Sequence, residues 1–388
     1  SMNRKNQPLV TVLTPVYNMG EFLEDCIQSV LNQTYQNFEY IIVNNCSTDR
    51  TLEVAMKYAA MASRVRVITN DRFVPVIENH NIAFRQVSAA AKYCKVVCAD
   101  DLIFPECLER MIGTAEANPT AGFVGCYQVS GERVLWQGFS YPRTLFPARE
   151  ICRKIWLEDN PAFGFGCTNS LLYRADLVRS GPDFFPNPSP HADTSACFKH
   201  LKDWDFAFVH QVLCCERTHE QTQTHKSKEI NRYSSAILND LIEYGHYYLT
   251  DEEFAAKLKQ YQNSYFEFLA TSLIESRGKE FWNYHTIRLK ELGCPITTAK
   301  LFRAGMRNLG RNLLNPALTL NKIRRRFAGR RAAVVEPVPK DHPPHDRPAD
   351  FRPGPHEGTS THITSASLQS NPTQAINQLF NDTTNPKK

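Results

Sequence analysis

The chain has 388 residues, a hydrophobic fraction of 42%, and 45 Lys and Arg against 40 Asp and Glu. That length and apolar content suit two or three packed domains and exclude a chain that is disordered throughout. No run approaches the ~20 consecutive apolar residues of a helical bilayer span, and the first residues enter a strand pattern without the apolar core of a signal peptide, so a cytoplasmic setting is expected.

Residues 9–14 are a β-branched and apolar run of strand length. Residues 21–33 then place Phe22, Leu23, Cys26, Ile27, Val30 and Leu31 on one helical face. Strands are predicted again over 39–43, 65–69 and 95–98, with helices over 51–63 and 78–92 between them. Strand and helix alternating at this spacing predict an α/β fold: a mostly parallel sheet with helices on both faces. Residues 122–225 read as mixed strand and helix with many prolines, and 226–332 as mainly helical. Residues 333–388, rich in Pro, His, Asn, Thr and Ser, predict a disordered tail.

The twelve cysteines contain no Cys-x-x-Cys pair, and most stand inside apolar stretches. They are expected to be free, buried thiols in a reducing compartment, with no sequence support for a zinc site.

Ligands of such sheets bind beyond the carboxyl ends of the strands, and polar residues gather there. Pro15 and Tyr17 follow the first strand, as a rigid turn or as an aromatic surface for a nucleobase. Asn44 and Asn45 end the second, just before Ser47-Thr48-Asp49, whose side-chain oxygens suit a helix N-cap. An amide at Asn45 can both donate to and accept from a base edge. Asp100-Asp101 follow the fourth strand, where adjacent carboxylates are costly unless solvated, paired or metal-bound. They either cap the next helix or offer oxygen ligands to Mg2+ or Mn2+.

In this order the three motifs resemble the family 2 glycosyltransferases, inverting enzymes of GT-A fold. The resemblance covers residues 8–225, with a donor half over 8–121 and an acceptor half over 122–225. It implies transfer of a sugar from a nucleoside-diphosphate sugar, most often a UDP-sugar, to a glycan or lipid-linked acceptor, with Mn2+ or Mg2+ as cofactor. By position, Pro15 and Tyr17 would line the nucleobase pocket, Asn45 would meet the base edge, and Asp100, supported by Asp101, would hold the metal on the diphosphate. The chain departs from the family pattern twice. Asn45 stands where aspartate is usual, and Cys98 replaces the first carboxylate of the acidic motif.

Further along, Pro190-His191-Ala192-Asp193-Thr194 matches the place of the family's Glu-Asp, so the resemblance implies that Asp193 is the general base; locally it also fits an N-cap. Arg217 and His219 follow the strand over 206–215, and the family's loop there implies a metal or diphosphate contact for His219.

Residues 300–331 carry ten Lys and Arg with no Asp or Glu. Arg303, Arg307 and Arg311 repeat every fourth residue beside Phe302, Met306, Leu309 and Leu313. The basic amphipathic segment, 296–331, predicts peripheral association with an anionic membrane surface on its cytoplasmic face. Packing of the apolar stripe on the catalytic domain is the alternative, and no nucleic acid is expected as a partner. Two other functions fit less well: a non-catalytic transferase-like scaffold at the membrane, which Cys98 and Asn45 would permit, and a sugar nucleotidyltransferase, which would need a glycine-rich basic loop where 15–20 stand.

Overall fold

The computed structural model describes residues 7–158, 163–217, 231–275 and 277–314. In chain order its first half runs β1 (Val10–Val16), α1 (Leu23–Leu31), β2 (Phe38–Asn44), α2 (Thr51–Met61), β3 (Val65–Thr69), α3 (Val76–Phe84), β4 (Tyr93–Val96), β5 (Leu102–Ile103) and α4 (Cys107–Ala117). There follow β6 (Ala121–Ser130), β7 (Arg133–Leu135), β8 (Leu145–Phe146), α5 (Ala148–Leu157), β9 (Leu171–Arg174), α6 (Ala175–Val178), α7 (Ala192–His200) and β10 (Asp205–Glu216). Four helices close the described chain: α8 (Arg232–Tyr248), α9 (Asp251–Ile274), α10 (Lys279–Glu291) and α11 (Thr298–Leu314).

The strands form one sheet in the order β3-β2-β1-β4-β9-β6-β10-β5, with β7 beside β6 and β8 beside β10. The pairs β1–β2, β1–β4, β2–β3 and β6–β10 are parallel. β9 enters antiparallel between β4 and β6, which makes the sheet mixed at its centre. The strands read as unbroken apolar runs because helices cover both faces. Along β1 and β2, Leu13, Ile41 and Val43 enter one core, while Val10, Val12 and Ile42 enter the other.

The helix expected over 78–92 ends at Phe84. Tyr93 must lie opposite Val10 to begin β4. The intervening residues therefore fold back in tight turns, with Ser88 N–H donating to Thr11 Oγ1 and Lys92 N–H to the Leu9 carbonyl. Local propensity in the Ala-rich stretch yields to that register.

Leu241, Tyr244 and Tyr248 of α8 join the core that contains α5 and α7, while α9, α10 and Ala304 build a smaller one around Tyr265, Leu269 and Phe281. The helical region thus packs on the sheet domain by way of α8. By its contacts the chain divides at Ala304/Gly305. Among the described residues no helix is long and apolar enough to cross a membrane, and each described cysteine is free.

Candidate active site

The turn after β1 is built by the turn after β2. Leu13 is the last β1 residue in register with β4, and its carbonyl accepts from Val97 N–H. The next amide on that side would be that of Pro15, which has no N–H; the Val97 carbonyl takes the Thr14 hydroxyl instead, at 2.8 Å. Pro15 is buried within the strand, so the chain leaves the sheet only at Tyr17.

Residues 18–20 are then clipped to residues 47–51. Asn18 N–H donates to Ser47 Oγ, Met19 N–H to Thr51 Oγ1 and Gly20 N–H to Asp49 Oδ2, all within 3.0 Å. Asp49 Oδ1 also accepts from Thr51 N–H at 2.9 Å, but the N-cap residue of α2 is Arg50, which makes no side-chain cap bond, so the Ser-Thr-Asp oxygens serve the clamp in place of the expected N-cap. A Cβ on Gly20 would come within 2.6 Å of the Arg50 side chain and 2.9 Å of the Thr51 nitrogen, so the two turns touch only because residue 20 is glycine.

Tyr17 emerges from this clamp 40% exposed, its ring 4.8 Å from that of Phe73, which is 58% exposed. The two rings are tilted 59° to one another, and each exposes an aromatic face at the sheet's carboxyl edge on which a base could stack. Phe73 has no sequence signal; it sits in a loop after β3.

That loop is held by Asn45. The Asn45 amide donates to the Val74 carbonyl at 2.8 Å, and its Oδ1 accepts from Val74 N–H and Asn70 Nδ2, each at 3.0 Å. Asn45 is buried, and one N–H of its amide is the sole polar capacity beyond these bonds. An aspartate there could not donate to the Val74 carbonyl, which gives the amide a structural reason of its own.

The acidic turn follows β4. Asp101 N–H donates to the Cys98 carbonyl at 2.9 Å, and Cys26 Sγ donates to the same carbonyl. Asp101 is buried, and burial, with Asp100 and Glu216 nearby, holds its carboxyl well above the usual carboxylate range. Asp100 is half-buried. Burial, with the same two aspartates, also holds the Cys98 thiol well above its ordinary value. Arg217, just beyond β10, fastens this turn: its backbone N–H donates to Asp101 Oδ1, its Nε to the Asp100 carbonyl, its Nη1 to Asp25 and its Nη2 to the Phe22 carbonyl. His80 of α3 lies close enough to Asp100 to feel its charge, although burial keeps the imidazole below its ordinary value.

Asp101 feels the negative charge of both Asp100 and Glu216, a concentration that a divalent cation would relieve. Among the described residues no three His, Cys, Asp or Glu side chains form a ligand set. The arrangement suits a cation held by one or two carboxylates together with substrate phosphates and water. His219 lies outside the described residues.

Across the sheet, Asp193 occupies the first turn of α7. His191, not Asp193, is the N-cap residue. Asp193 Oδ2 accepts from Thr168 N–H at 3.1 Å and from its hydroxyl at 3.4 Å, and Oδ1 accepts from Thr194 N–H at 2.7 Å. Burial raises its carboxyl above the usual range against the pull of these bonds. Thr168 belongs to the short turn before β9, and antiparallel β9 begins where β4 ends, on the same edge as the acidic turn. Cys167 of that turn bonds Gln128, which donates to Glu216.

The turn rests on Lys95, which is wholly buried. Its ammonium donates to the carbonyls of Val96, Asn169 and Leu171, using its three N–H bonds. This residue was missed in the sequence, although a lysine inside an apolar strand is a signal that could have found it.

The mixed sheet, the clamped turns and the acids along one edge define a GT-A nucleotide-sugar transferase fold. Comparison with known proteins agrees. The sequence profile of Glycosyl transferase family 2 matches residues 11–180. An uncharacterized glycosyltransferase of Haemophilus influenzae is 32% identical over 254 residues, 59% of this chain and 73% of that one. Glycosyltransferase GlyG of Streptococcus pneumoniae is 29% identical over 119 residues, 31% of this chain and 39% of that one. The crystal structure of S. aureus TarS in complex with UDP-GlcNAc superposes with a TM-score of 0.53 at 15% identity, over 74% of this chain and 80% of that one. The chain belongs to glycosyltransferase family 2.

Proposed function

We propose that this glycosyltransferase moves a sugar from a UDP-sugar to a hydroxyl of a glycan or lipid-linked acceptor by metal-assisted inverting displacement. The observation that carries the reading is the placement of the Asp100–Asp101 turn and the Thr168-bound Asp193 on one edge of the sheet. Tyr17 and Phe73 form the base platform, with Pro15 setting the turn and Asn45 holding the loop that carries Phe73; the remaining Asn45 N–H faces the base edge. Asp100, supported by Asp101, would hold Mn2+ or Mg2+ on the diphosphate, and the family's loop makes His219 a further candidate for a metal or diphosphate contact. When bound, the cation neutralises charge on the leaving diphosphate. Asp193 takes the proton of the acceptor hydroxyl as its oxygen forms the new bond opposite the departing nucleotide.

The protein is proposed to act at the cytoplasmic face of a membrane, bound peripherally through residues 300–331. Support comes from α11, where Phe302, Met306 and Leu309 are exposed in a segment with basic and no acidic side chains. Basic residues near an anionic surface contribute about 1 kcal/mol each.

Titration with UDP, with and without Mn2+, tests the donor site. Wild-type protein should bind UDP more tightly with Mn2+, and Asp100→Ala should lose that gain. Tyr17→Ala should weaken binding about tenfold, the order of a lost base–aromatic stack. Equal Mn2+ dependence in wild type and Asp100→Ala would remove Asp100 as a ligand.

A further inference from the structure

Asp240 of α8 lies outside the region matched to the family, yet it bonds the helix that carries Asp193. It is 1% exposed. Its Oδ1 is 2.5 Å from Ser195 Oγ, and Ser195 stands two residues beyond Asp193 on α7. Ser195 Oγ is also 2.9 Å from the carbonyl of His191, the N-cap residue of that helix. A serine hydroxyl has one hydrogen to give. It cannot serve both a carboxylate and a carbonyl, and the carbonyl has none to return. Both bonds form together only if Asp240 is the neutral acid, donating to Ser195 while Ser195 donates to His191.

The surroundings agree. Among the described residues no Lys or Arg pairs with Asp240, and its Oδ2 has no hydrogen-bond partner. The nearest cationic candidate, His191 Nδ1, is 3.9 Å away and likewise unpartnered. Burial pushes that imidazole down to about 4, so it stays neutral at physiological pH. Glu243 on the same helix and Asp193 on α7 face Asp240 with like charge. Of the cations that bond α8, Arg288 of α10 bonds Asn239 and Glu291, and Arg153 of α5 bonds the Tyr248 carbonyl and Glu253. Burial, aided by Glu243 and Asp193, raises the Asp240 carboxyl to about 8.

We propose that Asp240 is a positioning residue for the base: as a neutral carboxylic acid it completes the chain through Ser195 to the His191 carbonyl, and by keeping the proton it leaves the negative charge on Asp193. Two buried carboxyls of like charge are thereby given different protonation states, one acid and one base. The second half of the proposal rests on Asp193 being the base.

Melting temperature against pH for wild type, Asp240→Asn and Asp240→Ala tests it, together with UDP release from UDP-glucose and UDP-N-acetylglucosamine. A carboxyl raised on folding favours the fold fully below its unfolded pKa, and that contribution is lost as pH rises through its folded pKa. Wild type should therefore lose stability relative to Asp240→Asn between about pH 4 and about pH 8, and the difference should level off above that. Asparagine can still donate to Ser195. Asp240→Asn should keep kcat for UDP release near wild type at neutral pH and lack the fall that wild type shows above about pH 8. Asp240→Ala should lose kcat by about tenfold or more with donor KM unchanged. A melting difference that does not vary with pH would overturn the neutral acid. Asp240→Asn as slow as Asp240→Ala would overturn the positioning role. The melting comparison reads Asp240 whichever residue is the base; full activity in Asp193→Asn would instead sink the base assignment and leave that difference in place.

Discussion

Asp193→Asn is expected to slow sugar transfer by about 10²–10⁴-fold, the usual contribution of a positioned base, with UDP affinity unchanged. The substitution is nearly isosteric. An amide oxygen can still accept from Thr168 N–H and its hydroxyl, so the turn before β9 keeps its bond to α7. What is lost is the ability to take a proton. Single-turnover measurement with saturating donor separates this from a binding defect, and wild-type rates in the variant would show that the proton goes elsewhere. The pH profile carries the same information. With Asp193 as the proposed base, transfer would need it ionised, so the rate should fall as pH drops through its folded pKa. Because burial raises that carboxyl, the acid limb should lie above the ordinary aspartate value of about 3.9.

Lys95→Met should destabilise the protein by about 3 kcal/mol, the scale for leaving buried polar partners unsatisfied. Methionine matches the length of the stem but gives no hydrogen to the carbonyls of Asn169 and Leu171. These two residues flank the start of β9, and Thr168, which holds Asp193, is next to Asn169. The variant should therefore show a lower melting temperature and a lower kcat, with donor affinity little changed. A melt indistinguishable from wild type would mean that the ammonium contributes nothing net to the fold.

Residues 8–121, the expected donor half, were the more legible part of the chain. β1 to β4 announce themselves because parallel strands buried on both faces must be apolar throughout, and the polar residues that follow each strand stand out against them. The Ser47-Thr48-Asp49 run stood out for the same reason, but its expected N-cap role did not hold: the N-cap is Arg50, and the side-chain oxygens of Ser47 and Asp49 accept from the turn after β1. Residues 122–225 were harder. β9 enters antiparallel between β4 and β6, and nothing local in Leu171–Arg174 states its direction or its neighbours. Asn45 shows how a side chain's partners escape local reading: its bonds go to Asn70 and Val74, set by where the loop after β3 returns. Phe73 is visible only once that loop is placed beside Tyr17. The helix expected to reach residue 92 stops at Phe84 because strand register outweighs Ala propensity. Asp240 looks like one more polar residue in a helical pattern, and only packing reveals that it is buried against α7.

The most direct test of the account is proton NMR of donor cleavage by the full chain, with Mn2+ and either UDP-α-glucose or UDP-α-N-acetylglucosamine and water as the acceptor. Inverting attack predicts UDP together with the β-anomer of the sugar in the first spectra, before mutarotation mixes the anomers. Early release of the α-anomer, or no UDP from either donor, would contradict it.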